Sequence, residues 1–489
     1  MSSRPVNITQ PFRHLASASP GAPAIIGGDG GVMTYGMLDQ AIDRMAGHIA
    51  RLGLRPGDIV GLGMSGPDET LGIVLALALA RIGVATADRS APAEHLRLRF
   101  HTGASAEPGR VHVDASWMMV DPPASRAPAE HADPAALCRV FESSGTTGLP
   151  KHIPVSHDLM ARRVHGRLRF LPGGPAVRII AMGLGGAPGF ETVLRTLWAG
   201  GTLVLTNPAQ AAAAILRHGI TSIVTSPITL RTILAGLPPD APGPLPSLQS
   251  IEVGGSELPA NLHRLVVARL CPTVISVFGS SEADHTAGAS IAELAARPGA
   301  VGRIRADVEA RAVDDLGRAL PPGIEGILQI RGDRVASGYM WDDEASAQAF
   351  RDGWFVSGDI GAVWPDGMLT VTGRVSDLIN RGGTKVSPRV IEQALLSLPT
   401  VIDAAAFGVP DASGLEQIWA AIVARARIDD TVLNAFCQRA LPGISPTTIL
   451  QMAALPRNEN GKLLREQLVA IALRTLGPAS SEDQPGTPG

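Results

Sequence analysis

Ser143-Ser144-Gly145-Thr146-Thr147-Gly148-Leu149-Pro150-Lys151 follows the largely apolar stretch Leu137 to Phe141. Two glycines let a backbone approach a ligand closely, four hydroxyls can donate to phosphate oxygens, and a lysine closes the run. That is the chemistry of a triphosphate cradle. It is not a Walker loop, because the glycines are three positions apart rather than five and Lys151 is followed by His152 instead of a hydroxyl residue. A polar surface turn has a similar composition; the order of the residues separates the two readings.

Outward from this loop, Ile59 to Met64, Val177 to Met182, Thr202 to Thr206, Ser222 to Thr225 and Val274 to Phe278 read as short buried strands. Tyr35 to Leu52 and Thr70 to Ile82 read as helices between strands, so the expected class is α/β with largely parallel sheets. After about Gly323 the texture changes to glycine-punctuated hairpins: Gly326 to Arg331, Trp354 to Val363 and Gly367 to Gly373, with Pro365-Asp366-Gly367 as a turn. A small α+β unit is expected from Arg374 onward, through 386–398, 401–409, 418–425 and 430–441. The Ser, Pro and Gly rich tail 477–489 is expected to be disordered.

The 489 residues are 45% apolar and 18% charged, which indicates a globular chain with a large core. A net charge of −3 supplies no basic field, which argues against a nucleic-acid partner. Cys138, Cys271 and Cys437 fit neither a disulfide framework nor a zinc spacing. The longest apolar run, Leu71 to Ala80, is too short to cross a bilayer and reads as a buried helix, so no transmembrane segment is expected. Met1 to His14 lack the apolar core of a signal peptide, which makes a cytoplasmic location the expectation. Lys151, Lys385 and Lys462 are the only lysines among 42 basic residues. Arginine thus reads as the generic cation of this chain, and each lysine as a residue with a specific task.

With these motifs in view, the chain resembles the adenylate-forming enzymes, which include acyl-CoA and aryl-CoA synthetases, stand-alone adenylation domains and beetle luciferases. Their Thr-Ser-Gly-Thr-Thr-Gly-X-Pro-Lys loop is matched with Ser143 in place of the first Thr. Phe278-Gly279-Ser280-Ser281-Glu282 is similar to their Tyr-Gly-X-Thr-Glu motif, and Ser357-Gly358-Asp359 to Thr-Gly-Asp. Gly373-Arg374-Val375-Ser376-Asp377 is similar to the Gly-Arg hinge, and Pro456-Arg457-Asn458-Glu459-Asn460-Gly461-Lys462 to the terminal Pro-Arg-X-X-X-Gly-Lys. The resemblance covers roughly Pro20 to Leu468, and five motifs in register over 320 residues make it specific.

The resemblance implies a large N-terminal domain of sheets flanked by helices over 1–373, a hinge at 374–377 and a small mobile α+β domain over 378–476. It implies ATP as substrate, with Ser143, Ser144, Gly145, Thr146, Thr147, Gly148 and Lys151 on the β- and γ-phosphates. Glu282, with a hydroxyl such as Ser143, is implied beside Mg²⁺, and Ser281 near the α-phosphate. Gly254-Gly255-Ser256 corresponds to the adenine-side loop, with Phe278 and Gly279 also at the nucleotide; a plain βα turn is the competing reading of those glycines. Asp359 is implied at the ribose hydroxyls and Arg374 at ribose or phosphate. Lys462 corresponds to the catalytic lysine that bridges the attacking carboxylate and the α-phosphate. Arg381, Gly382 and Gly383 correspond to the loop lining the path of CoA. The hinge position, usually Asp or Lys, is Ser376 here, with Asp377 next.

The implied activity is ATP-dependent ligation of a carboxylic acid to CoA through an acyl-adenylate. A separate carrier protein as acceptor and a non-catalytic nucleotide-binding regulator are the alternatives; no carrier-protein motif follows Lys462. The acid side departs most from relatives: Gly183-Leu184-Gly185-Gly186-Ala187-Pro188-Gly189-Phe190 stands where many have an aromatic residue or histidine. The wording around Leu378 to Gly383 and Glu282 to His285 looks like the branch containing oxalate-CoA ligases, yet the sequence identifies no clamp for a second carboxylate. His285 reads equally as an acid-site or a plain loop residue.

Overall fold

The computed structural model describes residues 5–63, 69–88, 90–102, 110–122, 129–143, 150–168, 177–181, 183–297, 299–381, 384–411, 414–457 and 463–476. The chain divides into two compact units. The first comprises Met1–Arg311, Gln329–Ser357 and Val363–Leu369; the second comprises Ala312–Leu328, Gly358–Ala362 and Thr370–Gly489.

In the first unit, one sheet has six strands in the order Val111–His112, Leu98–His101, Ile59–Leu62, Ala85–Ala87, Leu137–Ser143 and Lys151–Ser156. All neighbours are parallel except the last pair, which forms a hairpin around the phosphate loop. In a second sheet, Val177–Ala181, Ser222–Thr225, Ser250–Val253 and Val274–Ser280 run parallel side by side, and Asp284–Ser290 turns back antiparallel. Thr202–Val204 and Pro23–Ile26 extend the parallel array on the other side. Expected strands are all present, with ends displaced by a few residues.

The helices follow from local sequence. Thr34 caps Tyr35–Ala50 by accepting from the Met37 amide, and Ser226 caps Pro227–Ala235 with proline at its first turn. Glu69–Arg81 is the buried helix expected from the long apolar run; Leu71 to Arg81 are all buried. It packs with Tyr35–Ala50 in a core that also takes Phe141, Phe190 and Leu197. Helices Ala211–His218, Pro227–Ala235 and Ala260–Arg269 cover a separate core on the second sheet. Among the described residues no helix is long and apolar enough to cross a membrane.

The second unit contains a three-stranded sheet of Val401–Pro410, Glu416–Ala424 and Thr448–Gln451. Side chains alternate across it. Ala404, Ala406, Ile418, Ala420 and Ile422 face Pro388–Leu396 and Asp430–Ala440, whereas Ala405, Phe407, Trp419 and Ala421 face Leu468 and Ala472 of Arg465–Leu476. The sheet is thus covered on both faces. Burying each large apolar side chain contributes about 1.5–3 kcal/mol before the entropy of ordering is subtracted. The last helix and the Thr448–Gln451 strand lie outside the elements expected from sequence.

The three cysteines are free and buried. Several arginines depart from the reading as generic cations: Arg81, Arg139, Arg163 and Arg178 are among the largest fully buried side chains.

Candidate active site

Because four strands of the second sheet run parallel, the segments after them converge on one edge: Gly183 to Gly186, Ser226, Gly254 to Ser256, and Ser281 with Glu282. In open parallel sheets, ligands bind outside the carboxyl ends of the strands. Gly254 donates its amide to Thr225 O at 3.0 Å, and Gly255 has a φ of +85°, a conformation that favours glycine. This turn precedes Ala260–Arg269, so both readings of Gly254-Gly255-Ser256 remain compatible with its geometry.

The Phe278 to Glu282 segment is shaped by a bulge between Phe278 and Gly279. A Cβ on Gly279 would stand 2.1 Å from Asp284 O, so only glycine permits this return of the chain. The turn carries Ser281 and then Glu282, which is 7% exposed and therefore not a solvated loop-end carboxylate. The Glu282 carbonyl accepts from Ala336 N at 2.8 Å and from Arg163 Nη2 at 3.1 Å. Its side chain is set by Tyr339, whose hydroxyl donates to Oε1 at 3.1 Å.

Tyr339 also connects Glu282 with the phosphate loop. The Lys151 Nζ stands 4.9 Å from the centre of the Tyr339 ring, and Met340 N donates to His152 O at 2.7 Å. Ser143 lies directly opposite Lys151 in the hairpin register. The structure thus gathers Ser143, Lys151 and Glu282 in one place. Ser144, Gly145, Thr146, Thr147 and Gly148 lie outside the described residues. Among the described residues no cluster of three or more metal-ligating side chains occurs. One buried carboxylate beside hydroxyls fits Mg²⁺, which commonly takes one or two carboxylates together with substrate phosphates.

Behind Glu282 lies a buried charged layer that sequence reasoning missed. Arg163 pairs with Glu191 at 3.1 Å; Arg167 pairs with Glu191 at 3.2 Å and with Asp284 at 2.6 Å. Arg334 reaches Asp284 at 3.3 Å and Asp307 at 2.8 Å. Burial opposes ionisation of Asp284, but Arg167, with Arg163 and Arg334, holds it well below the usual carboxylate range. Burial pushes Glu191 upward, with Asp284 adding to the shift and Arg167 and Arg163 opposing it. His285 sits on the Asp284–Ser290 strand rather than in a loop, and burial with the Arg167 charge lowers it to about 4.

In the second unit, Arg374 Nε donates to Asp359 Oδ1 at 2.7 Å, joining the two residues assigned to nucleotide contacts. Ser376 donates to Asp377 at 2.9 Å within a 3-10 turn, Val375–Asp377. Arg465 holds Asp377 at 3.0 Å and Glu392 at 2.6 Å. Arg381 donates to Gly443 O at 2.8 Å. Arg457, paired with Asp403 at 2.9 Å and bridged to Leu463, anchors the base of the terminal motif. Gly382, Gly383, Lys462 and the tail 477–489 lie outside the described residues.

Comparison with known proteins agrees with this geometry. The family model described as AMP-binding enzyme matches residues 12–106 and 100–340, and that described as AMP-binding enzyme C-terminal domain matches 390–462. A feruloyl-CoA synthase of Amycolatopsis is 29% identical, over 93% of this chain and 96% of its own length. A salicyl-AMP ligase / salicyl-S-ArCP synthetase of Mycobacterium tuberculosis is 30% identical, over 93% and 88%. The O-succinylbenzoate coenzyme A synthetase of Bacillus subtilis, solved with ATP and magnesium ion, superposes with a TM-score of 0.81 over 94% of this chain and 98% of that one. At 23% identity this likeness shows the fold.

Proposed function

Because this chain belongs to the AMP-binding enzyme family, we propose that it is an acid-thiol ligase that activates a carboxylic acid with ATP and transfers the acyl group to CoA. A carboxylate oxygen attacks the α-phosphate in line, the bond to the bridging oxygen of pyrophosphate breaks, and an acyl-adenylate remains. The CoA thiolate then attacks the acyl carbon and AMP leaves.

The observation that carries this reading is the placement of Lys151 and Glu282 on either side of Tyr339, at the base of the phosphate loop. A cation and a carboxylate-bound metal placed in advance stabilise charge on the phosphates without reorganisation. Glu282, with Ser143 nearby, would hold Mg²⁺, which neutralises phosphate charge when bound. Ser143 to Lys151 would hold the β- and γ-phosphates, Ser281 would lie near the α-phosphate, and Gly254 to Ser256 with Phe278 and Gly279 would receive the base. Asp359, an acceptor-only carboxylate oriented by Arg374, suits two ribose hydroxyls. Lys462 would act in adenylation, and Arg381, Gly382 and Gly383 in passage of CoA. The functional division would be 1–373, a hinge at 374–377 around Ser376, and 378–476.

The carrier-protein alternative is favoured by the name of the tuberculosis relative. ATP-pyrophosphate exchange over a panel of carboxylic acids tests the first half-reaction, and addition of CoA tests the second. Exchange with an acid followed by thioester formation supports the ligase reading. Absence of exchange with every acid, in protein that binds AMP, refutes it.

A further inference from the structure

The helix Ala187–Trp198 begins where the glycine-rich Gly183 to Gly186 segment ends, and it is buried on two sides. Phe190, Val193, Leu194 and Leu197 enter the first core, as a helical stripe should. The stripe toward the second sheet is instead polar, with Glu191, Thr192, Arg195 and Thr196 all at 2% exposure or less. Arg195 pairs with Glu252 at 2.9 Å, and Arg178 donates to Thr196 Oγ1 at 3.2 Å. Thr196 and Thr192 satisfy their own hydroxyls on the carbonyls four residues earlier, at 2.8 and 2.6 Å.

The arginines are not satisfied. Arg195 Nε and Nη2 and Arg178 Nε are buried without a hydrogen-bond partner. Two adjacent guanidiniums share the one carboxylate of Glu252, which Arg167 also faces. Burial and the Arg195 charge lower Arg178 to about 9, as expected of a cation short of counter-charge. Buried donors are almost always paired in folded proteins, so a group left unpaired calls for an acceptor that arrives from outside.

On the premise that the chain activates a carboxylic acid, we propose that Arg178 and Arg195 receive a second anionic group of that acid. The preferred substrate is then a carboxylic acid that carries a further carboxylate, sulfonate or comparable oxyanion. The planar guanidinium suits such groups, and its two unpaired donors on Arg195 match a bidentate acceptor. Arg178 lies three residues before the end of the Val177–Ala181 strand, so its backbone sits ~10 Å beneath the edge that carries Gly183 to Gly186. The two charged groups of the acid are therefore separated by a chain or ring. A purely apolar acyl group would leave these arginine donors without an acceptor from the substrate.

The test is ATP-pyrophosphate exchange with matched pairs of acids: glutarate and pentanoate, adipate and hexanoate, terephthalate and benzoate. The expected result is a preference in kcat/KM for the dianion of at least one pair well above the ~100-fold that an apolar pocket supplies and toward ~10⁴-fold, because a site built to pair a polar group rejects the analogue that lacks it. Arg195→Gln should collapse that ratio, with AMP binding used to confirm a folded protein. If Arg195→Gln does not fold, thermal denaturation of the wild type decides: the preferred dianion should raise Tm and its monoacid partner should not. Equal or better exchange with every monoacid, an unchanged ratio in Arg195→Gln, or equal Tm shifts would overturn the proposal while leaving the ligase reading intact. Failure of all acids to exchange removes the premise and the proposal together.

Discussion

Tyr339 offers the sharpest separation between a catalytic arrangement and mere packing. Its hydroxyl donates to a carboxylate that is 7% exposed, and its ring faces the Lys151 ammonium. A hydrogen bond to a charged group is worth about 1.5–3 kcal/mol, and a cation over an aromatic ring about 0.5–1 kcal/mol. Tyr339→Phe removes the first and keeps the second. If the hydroxyl orients Glu282 for Mg²⁺, Tyr339→Phe should lower kcat/KM for Mg²⁺-dependent pyrophosphate exchange by about 10- to 150-fold, since 1.4 kcal/mol is tenfold. Tyr339→Leu should lose a further 2- to 5-fold through Lys151, together with some stability from the cavity it leaves. AMP affinity, measured by isothermal titration, should change little, because AMP lacks the phosphates these residues serve. A Tyr339→Phe enzyme within twofold of wild type, or one that loses AMP affinity in the same proportion, would show that the contact orders the fold and not the chemistry.

Glu282→Gln should likewise weaken Mg²⁺-dependent exchange while sparing AMP binding; equal loss of both would assign Glu282 to structure. Lys462→Ala should abolish adenylate formation yet still convert presynthesised acyl-adenylate and CoA to thioester, whereas Gly383→Leu should do the reverse, as single-turnover assays of each half-reaction can show. Loss of both steps in folded Lys462→Ala would end the two-conformation scheme. His285 and His157 are each lowered to about 4, mainly by burial, so between about 6.5 and 4 the unfolded chain binds protons that the native state refuses. Stability should therefore fall as pH drops through that window, by roughly 3 kcal/mol per histidine at most, and His285→Gln should flatten the slope of Tm against pH. A Tm that stays level from 6.5 to 4 would contradict the burial argument.

The residues proposed for the nucleotide could be named from sequence because they are local in it: a loop of nine, a turn of five, and strands with apolar runs between them. Tyr339 was not, since it lies 57 residues from the carboxylate it contacts and only the return of the chain beside His152 brings it there. The buried charged layer was opaque for another reason. Arg163, Arg167, Arg178 and Arg195 look in sequence like the arginines of any exposed surface, and burial is a property of the tertiary fold. Helical periodicity offers no remedy, because Ala187–Trp198 is buried on a charged stripe as well as an apolar one. A conventional amphipathic reading turns that charged stripe toward water.

Arg465 has a mechanical consequence for any rotation of the small domain. By gripping both Asp377 and Glu392, it fastens the 3-10 turn Val375–Asp377 to the start of the last helix and to Pro388–Leu396. If the small domain turns about the proposed hinge at 374–377, the chain from Asp377 onward would be carried with it. The torsional freedom would then be squeezed into the bonds just upstream, between Arg374 and Ser376, like a door whose pin is shorter than its plate. Serine in place of a bulkier hinge residue puts a small side chain at that pin, and releasing Arg465 would lengthen it, trading a defined swing for a loose one.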